Sequence, residues 1–256
     1  MIAKTFAAAL MVSGLALTAL PAQAQEAPLT PKQAEAVKKV VRDYLMEHPE
    51  VLGEALEALR EKMRAQAEAD AHKMLEARKD DIYKNPDDPQ GGNLKGDLTV
   101  VEFFDYNCGF CKQTFDSLWE AVKSDGKVRV VLKEYPILGP DSVLASRVAL
   151  VAKAQSQAKY DEVHKALMKF RGRLDEKTIY RLAGEAGLNV EQLKKDVNNP
   201  DIERQLKKTL DLARSLDIGG TPTFIVGDRI VSSALDQQTM KQLMDAARRG
   251  IAKQPG

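Results

Sequence analysis

The stretch Val100-Val101-Glu102-Phe103-Phe104-Asp105-Tyr106-Asn107-Cys108-Gly109-Phe110-Cys111 decides how this chain is read. Its first half is, apart from Glu102, an apolar, β-branched and aromatic run with the length of a buried strand. It leads directly into Cys-x-x-Cys at the mouth of a helix from about Cys108 to Lys123, with Phe115, Leu118, Trp119 and Val122 on one face. Outward from there, Val128 to Lys133 is a second apolar strand. Strand, helix, strand implies that the two strands run parallel. Tyr135-Pro136 ends the second strand, and from Asp141 to about Leu212 the pattern is helical, with breaks near Gln157, Gly172, Gly187 and Asn199-Pro200. That segment is too long for a simple crossover and reads as a helical insertion. Gly219-Gly220-Thr221-Pro222 introduces a strand through Val226, Gly227-Asp228 is a hairpin turn, Arg229 to Val231 is a short strand, and Gln237 to Arg249 is a closing amphipathic helix.

Cys108 and Cys111 are the only cysteines in 256 residues. Their setting depends on the N-terminus. Lys4, the uncharged apolar run Phe6 to Leu20 and the small-x-small site Ala22-Gln23-Ala24 predict a signal peptide over 1–24, cleavage near Gln25 and export to a bacterial periplasm. A disulfide is permitted there. Two cysteines separated by two residues close a tiny loop and remove little unfolded-state entropy, so the pair is chemical rather than a staple. A metal site is the alternative, but the pair supplies two ligands and His48, His72 and His164 show no zinc spacing. A redox-active Cys108–Cys111 pair with no further cofactor is expected; Cu(I) binding by the reduced thiols stays open. A net charge of +1 excludes a strong field for nucleic acid.

Between signal and catalytic segment lies a helical region, 25–84. Thr30-Pro31-Lys32-Gln33 is a helix start with a capping box. Val37, Val41 and Tyr44 mark its apolar stripe, and His48-Pro49 breaks it. A second helix runs from near Pro49 to about Tyr83, with Leu52, Leu56, Leu59 and Met63 at heptad-like spacing. So narrow a seam suits self-association through residues 30–83 better than a core-facing stripe. Asn85 to Asn93 is rich in Pro, Gly, Asn and Asp and reads as a linker over 85–97.

The order of elements resembles a thioredoxin fold with an inserted helical subdomain, here over 98–256 with the insertion at about 141–212. The motifs Glu102-Phe103-Phe104, Cys108-Gly109-Phe110-Cys111, Lys133-Glu134-Tyr135-Pro136-Ile137-Leu138-Gly139 and Gly219-Gly220-Thr221-Pro222-Thr223-Phe224 resemble the DsbA-like family of exported thiol–disulfide oxidoreductases. The N-terminal extension resembles that of the ScsC subgroup, some of whose members are oligomeric disulfide isomerases. The dipeptide between the cysteines is Gly-Phe where DsbA has Pro-His, so the His that helps stabilise the thiolate there is missing.

The resemblance assigns roles. Cys108, at the helix start where the unpaired N–H groups and dipole favour negative charge, is the expected nucleophile. Cys111, one turn inside, is the resolving thiol. Glu102 is the carboxylic acid expected to exchange a proton with Cys111. Thr221-Pro222 matches the family's cis-proline loop, which places the Thr221 backbone beside the Cys108 sulfur to pair with an extended peptide. Tyr106, Phe110 and Tyr135 are either an apolar surface around the sulfurs or ordinary core. The resemblance implies an isomerase acting on unfolded or misoxidised exported proteins and recharged by a membrane thiol reductase or oxidase. A monomeric dithiol oxidase and a copper-binding chaperone are the alternatives.

Overall fold

The computed structural model describes residues 29–251, so the expected signal peptide and the last residues lie outside the described part. The chain divides into two compact units that meet at Leu59 and Arg60. In the first, helix α1 (Pro31–Glu47) is capped by Thr30, whose hydroxyl accepts from the Gln33 N–H while the Gln33 side chain accepts from the Thr30 N–H. His48 closes it and helix α2 (Glu50–Ala77) follows. No residue of α1 is buried. Val37, Val40, Val41 and Tyr44 stand exposed, as do Leu52, Leu56 and Leu59.

The second unit begins inside α2, not at the Asn85 breaker cluster where the composition changes. Leu75 near the end of α2 and Ile82 in helix α3 (Lys79–Tyr83) are buried in one apolar cluster with Val101, Phe103 and Val131. Nor is 85–97 a free linker. Gln90–Gly92 forms strand β1, antiparallel to strand β3 (Val128–Glu134). Its glycines are required by contact. A side chain on Gly91 would strike the Trp119 ring at 2.5 Å, and Gly92 lies at φ +69 with the Val128 carbonyl 2.4 Å from where a Cβ would stand.

Strand β2 (Leu98–Phe104) is the centre of a sheet ordered β1-β3-β2-β4-β5, with β4 at Thr223–Val226 and β5 at Arg229–Val231. The β2–β3 pair is parallel; β4 runs antiparallel to both β2 and β5. Helix α4 (Gly109–Asp125) joins β2 to β3 and ends on Gly126 in the left-handed region. Helices α5 (Pro140–Gln155), α6 (Gln157–Lys169), α7 (Glu176–Glu185), α8 (Val190–Asp196) and α9 (Pro200–Ser215) form the insertion, and α10 (Gln237–Ile251) closes the domain. This is a thioredoxin fold with a helical subdomain set between β3 and β4.

Alternation along the strands sorts the core into two layers. Leu98, Val100 and Phe104 with Val128, Val130 and Leu132 pack against α4, α10 and the insertion, whereas Val101, Phe103 and Val131 pack against α3 and the end of α9. Each fully buried large apolar side chain contributes about 1.5–3 kcal/mol. By the same alternation Glu102 and Glu134 sit on the α4 side of the sheet, carboxyls where hydrocarbon is the rule.

Candidate active site

The sheet delivers its reactive end at the C-terminus of β2. Asp105 fixes the turn there. Its Oδ1 accepts from the Asn107 N–H and the Ser142 hydroxyl, both at 2.7 Å, and its Oδ2 accepts from the Ile137 and Leu138 N–H groups at 2.8 and 2.9 Å. One buried carboxylate thus ties the loop before α4 to the loop after β3. Tyr135 adds a second tie, donating to the Ile218 carbonyl at 2.9 Å.

Cys108 is the N-cap of α4. Its sulfur accepts from the Cys111 N–H at 3.4 Å and lies 3.2 Å from the Thr221 carbonyl oxygen, to which the thiol donates. The Thr221–Pro222 peptide is cis. The hydrogen bond from the Cys111 thiol, then those of the Thr221 side chain and the Cys111 and Phe110 N–H groups, hold the Cys108 thiol down at about 6 against the opposing effect of burial. Cys111 is fully buried, and burial pushes its thiol far up, with the Cys108 sulfur and the Glu102 charge acting in the same direction. One sulfur is ready as an anion and the other holds its proton.

Glu102 is 1 % exposed, and its Oε1 has no hydrogen-bond partner in the protein. Burial first, then the negative charges of Cys108 and Glu134, push its carboxyl up to about 8. A carboxyl in that range exchanges protons near neutral pH. The five residues singled out in the sequence therefore meet around one end of β2: Cys108 and Thr221 in direct contact, Pro222 adjoining, Cys111 and Glu102 beneath.

The three aromatic residues divide. Phe110 is 63 % exposed, and with Gln113, Ser232, Ser233 and Ala234 it borders a groove beside Thr221 and Pro222. Tyr106 and Tyr135 are core. Behind the site Glu134, Tyr106, Tyr160 and His164 form a polar cluster that the sequence did not predict as a unit. The one signal for it was a charged pair, Lys133-Glu134, closing a strand that is apolar apart from Arg129. Lys133 turns to the opposite layer, where it is buried in an ion pair with Asp88 and donates to the Asp81 carbonyl at 2.7 Å.

A dithiol at a helix N-terminus, facing a cis-proline loop at the end of a central strand, defines a thioredoxin-fold dithiol protein. The chain belongs to the DsbA-like family: the DSBA-like thioredoxin domain matches residues 99–245, and the N-terminal domain of copper resistance protein ScsC matches residues 33–66. A thioredoxin-like oxidoreductase from Silicibacter pomeroyi DSS-3 is 39 % identical, with a TM-score of 0.64, over 66 % of this chain and 97 % of its own. Proteus mirabilis ScsC in a transitional conformation is 28 % identical, with a TM-score of 0.65, over 87 % of this chain and 100 % of its own. Among curated relatives, the probable disulfide bond formation protein D of Bacillus anthracis is 28 % identical over 160 residues, 58 % of this chain and 72 % of that protein. Other curated relatives are much longer. The chain spans 28 % of the Na(+)/H(+) antiporter NhaA of Herminiimonas arsenicoxydans, at 25 % identity over 179 residues. Among the described residues no helix is long and apolar enough to cross a membrane.

Proposed function

We propose that this protein is a periplasmic thiol–disulfide oxidoreductase that works as an oligomeric disulfide isomerase. The observation that carries the chemistry is the Cys108 sulfur, acidified at the mouth of α4, in contact with the Thr221 carbonyl and backed by a buried Cys111 thiol. The Cys108 thiolate attacks one sulfur of a substrate disulfide, forming a mixed disulfide and releasing the other sulfur as a thiolate. That thiolate attacks a different disulfide in the same substrate, forming a new pairing and releasing another substrate thiolate, which attacks the mixed disulfide and expels Cys108 as its thiolate. Alternatively Cys111 gives its proton to the Glu102 carboxylate and attacks Cys108. The enzyme disulfide forms, the substrate leaves reduced, and a membrane thiol reductase restores the dithiol. With an oxidase as partner the same steps run in reverse. The groove beside Thr221 and Pro222, next to the Cys108 sulfur, suits an extended backbone, and unfolded or misoxidised exported proteins supply one.

Self-association is supported by the unburied apolar positions of α1 and α2, with Leu52, Leu56, Leu59 and Met63 between 49 % and 63 % exposed, and by the ScsC-type match over the same residues. Several active sites on one assembly raise the local thiol concentration at a substrate held by one of them. The test is refolding of a scrambled disulfide protein by the full chain, by a form lacking residues 25–84, and by Cys111→Ser. The expected results are isomerisation by the full chain, an oligomer that becomes monomeric and loses isomerisation in the deletion, and mixed disulfides accumulating through Cys108 in the variant. Stoichiometric Cu(I) uptake with no exchange would favour a copper-binding chaperone instead.

A further inference from the structure

Glu134 ends β3 on the same side of the sheet as Glu102. In the parallel register Glu102 lies opposite Leu132 and Phe104 opposite Glu134, so the two carboxyls are diagonal neighbours, about 7 Å apart at the backbone. Glu134 is not loose. Its Oε1 accepts from the Tyr106 hydroxyl at 2.9 Å and the Tyr160 hydroxyl at 2.8 Å, and the Tyr106 hydroxyl also meets His164 Nδ1 at 2.9 Å. The Tyr160 and His164 rings are stacked, 5.3 Å between centroids. Its second oxygen, Oε2, is buried without a partner, like Oε1 of Glu102.

The groups facing this pair are Asp105 and Tyr106 from the loop after β2, Cys108 and Cys111 from the mouth of α4, Ser146 from α5, and Tyr160 and His164 from α6. Burial holds His164 down at about 3, so its ring is neutral. Among the described residues neither carboxyl has a cationic neighbour. Burial raises Glu134 to about 8 as well. Two buried carboxyls in one layer, with no positive charge between them, do not ionise independently.

We propose that Glu134 is a positioning residue for the proton step: pinned by Tyr106 and Tyr160 diagonally across from Glu102, it governs how strongly Glu102 holds the proton that Cys111 gives up. The inference rests on the oxidoreductase reading. In the resolving step the Cys111 S–H proton passes to the Glu102 carboxylate. The sulfur's electron pair forms the Cys108–Cys111 bond, the Cys108–substrate bond breaks, and the substrate sulfur leaves with that bond's pair. Glu134 exchanges no bond. Where Glu134 is ionised, its negative charge makes Glu102 the stronger base.

The experiment compares wild type, Glu134→Gln and Glu102→Gln as full chains. Gln keeps an acceptor for both tyrosines and removes only the charge. Two readouts are taken against pH: stopped-flow resolution of the mixed disulfide with glutathione, and infrared titration of the buried carboxyls. In Glu134→Gln the limb assigned to Glu102 moves down by about one to two pH units, the shift expected for unit charges at this separation. The plateau above it falls severalfold, because a weaker base takes the proton, while the alkylation midpoint of Cys108 stays in place. Glu102→Gln abolishes the limb, and adding Glu134→Gln to it changes the limb no further. A uniform loss of rate at every pH with the limb unmoved would overturn the proposal. If Glu134→Gln does not fold, Tyr160→Phe serves. It removes one of the two hydroxyls that favour the charged carboxylate and moves the limb in the same direction by less; an unmoved limb overturns the idea equally. Infrared titration reads the carboxyls even without turnover. Absent exchange therefore sinks the functional reading, whereas an unshifted Glu102 band sinks this inference.

Discussion

Replacing Cys111 with Ala tests the electrostatics of the site, because the Cys111 thiol is the largest single cause of Cys108 acidity. A hydrogen bond to a charged group is worth about 1.5–3 kcal/mol. At about 1.36 kcal/mol per pH unit, its loss raises the Cys108 titration by about one to two units. From about 6 in the wild type, the variant is expected between about 7 and 8. Cys111→Ser, which keeps an O–H donor, stays near the wild-type value. The assay is the pH dependence of iodoacetamide alkylation of Cys108 in the reduced protein, with thiolate absorbance as a second reading. A stability measurement follows by linkage. The folded thiol titrates near 6, below its ordinary value of 9.0, so thiolate stabilisation is complete above the unfolded value and is lost as pH falls through 6. Between those limits the reduced wild type gains about 1.4 kcal/mol per pH unit from this group, and the Ala variant gains over a narrower window. An Ala variant titrating within a few tenths of a unit of wild type would refute the reasoning, as would a Ser variant that moved as far as Ala.

Asp105→Ala leaves four donors unpaired in a buried turn, and urea denaturation should show a loss of about 3–4 kcal/mol, with Cys108 alkylation losing its low midpoint as the loop relaxes. Lys133→Met strands the buried Asp88 and costs about 3–5 kcal/mol, whereas Lys133→Met with Asp88→Leu recovers most of the loss in the same denaturation series. Phe110→Ser changes stability by less than about 0.5 kcal/mol, since the ring is exposed, yet raises KM for a peptide disulfide substrate. Leu56→Lys with Leu59→Lys shifts light-scattering mass to the monomer and leaves the thermal transition of the catalytic unit unmoved.

The central strands, the dithiol helix and the insertion were legible because each carries a pattern: mostly apolar runs at 98–104 and 128–133, three-four spacing in the helices, and Gly or Pro at the breaks. Strand β1 was not legible. Gln90-Gly91-Gly92 has no strand propensity and pairs because β3 offers an edge and Trp119 leaves room only for hydrogen atoms. The boundary near Asn85 misled for a related reason, since breakers mark a change of local conformation and the packing of Leu75 and Ile82 runs past them. At the site, motif residues adjacent in sequence could be read directly. The Glu134 cluster could not, because Tyr106, Tyr160 and His164 reach it across 26 residues or more, and a partner so distant leaves no local pattern.

The sheet ends on both sides in strands of three residues, β1 and β5. Long bare edges invite foreign chains to add on, and short ones deny them a template. On the function proposed above, the molecule works among half-made proteins and holds their backbones at Thr221, where long bare edges would risk drawing it into their tangles. Brevity at the flanks lets it touch such chains at one chosen point and release them.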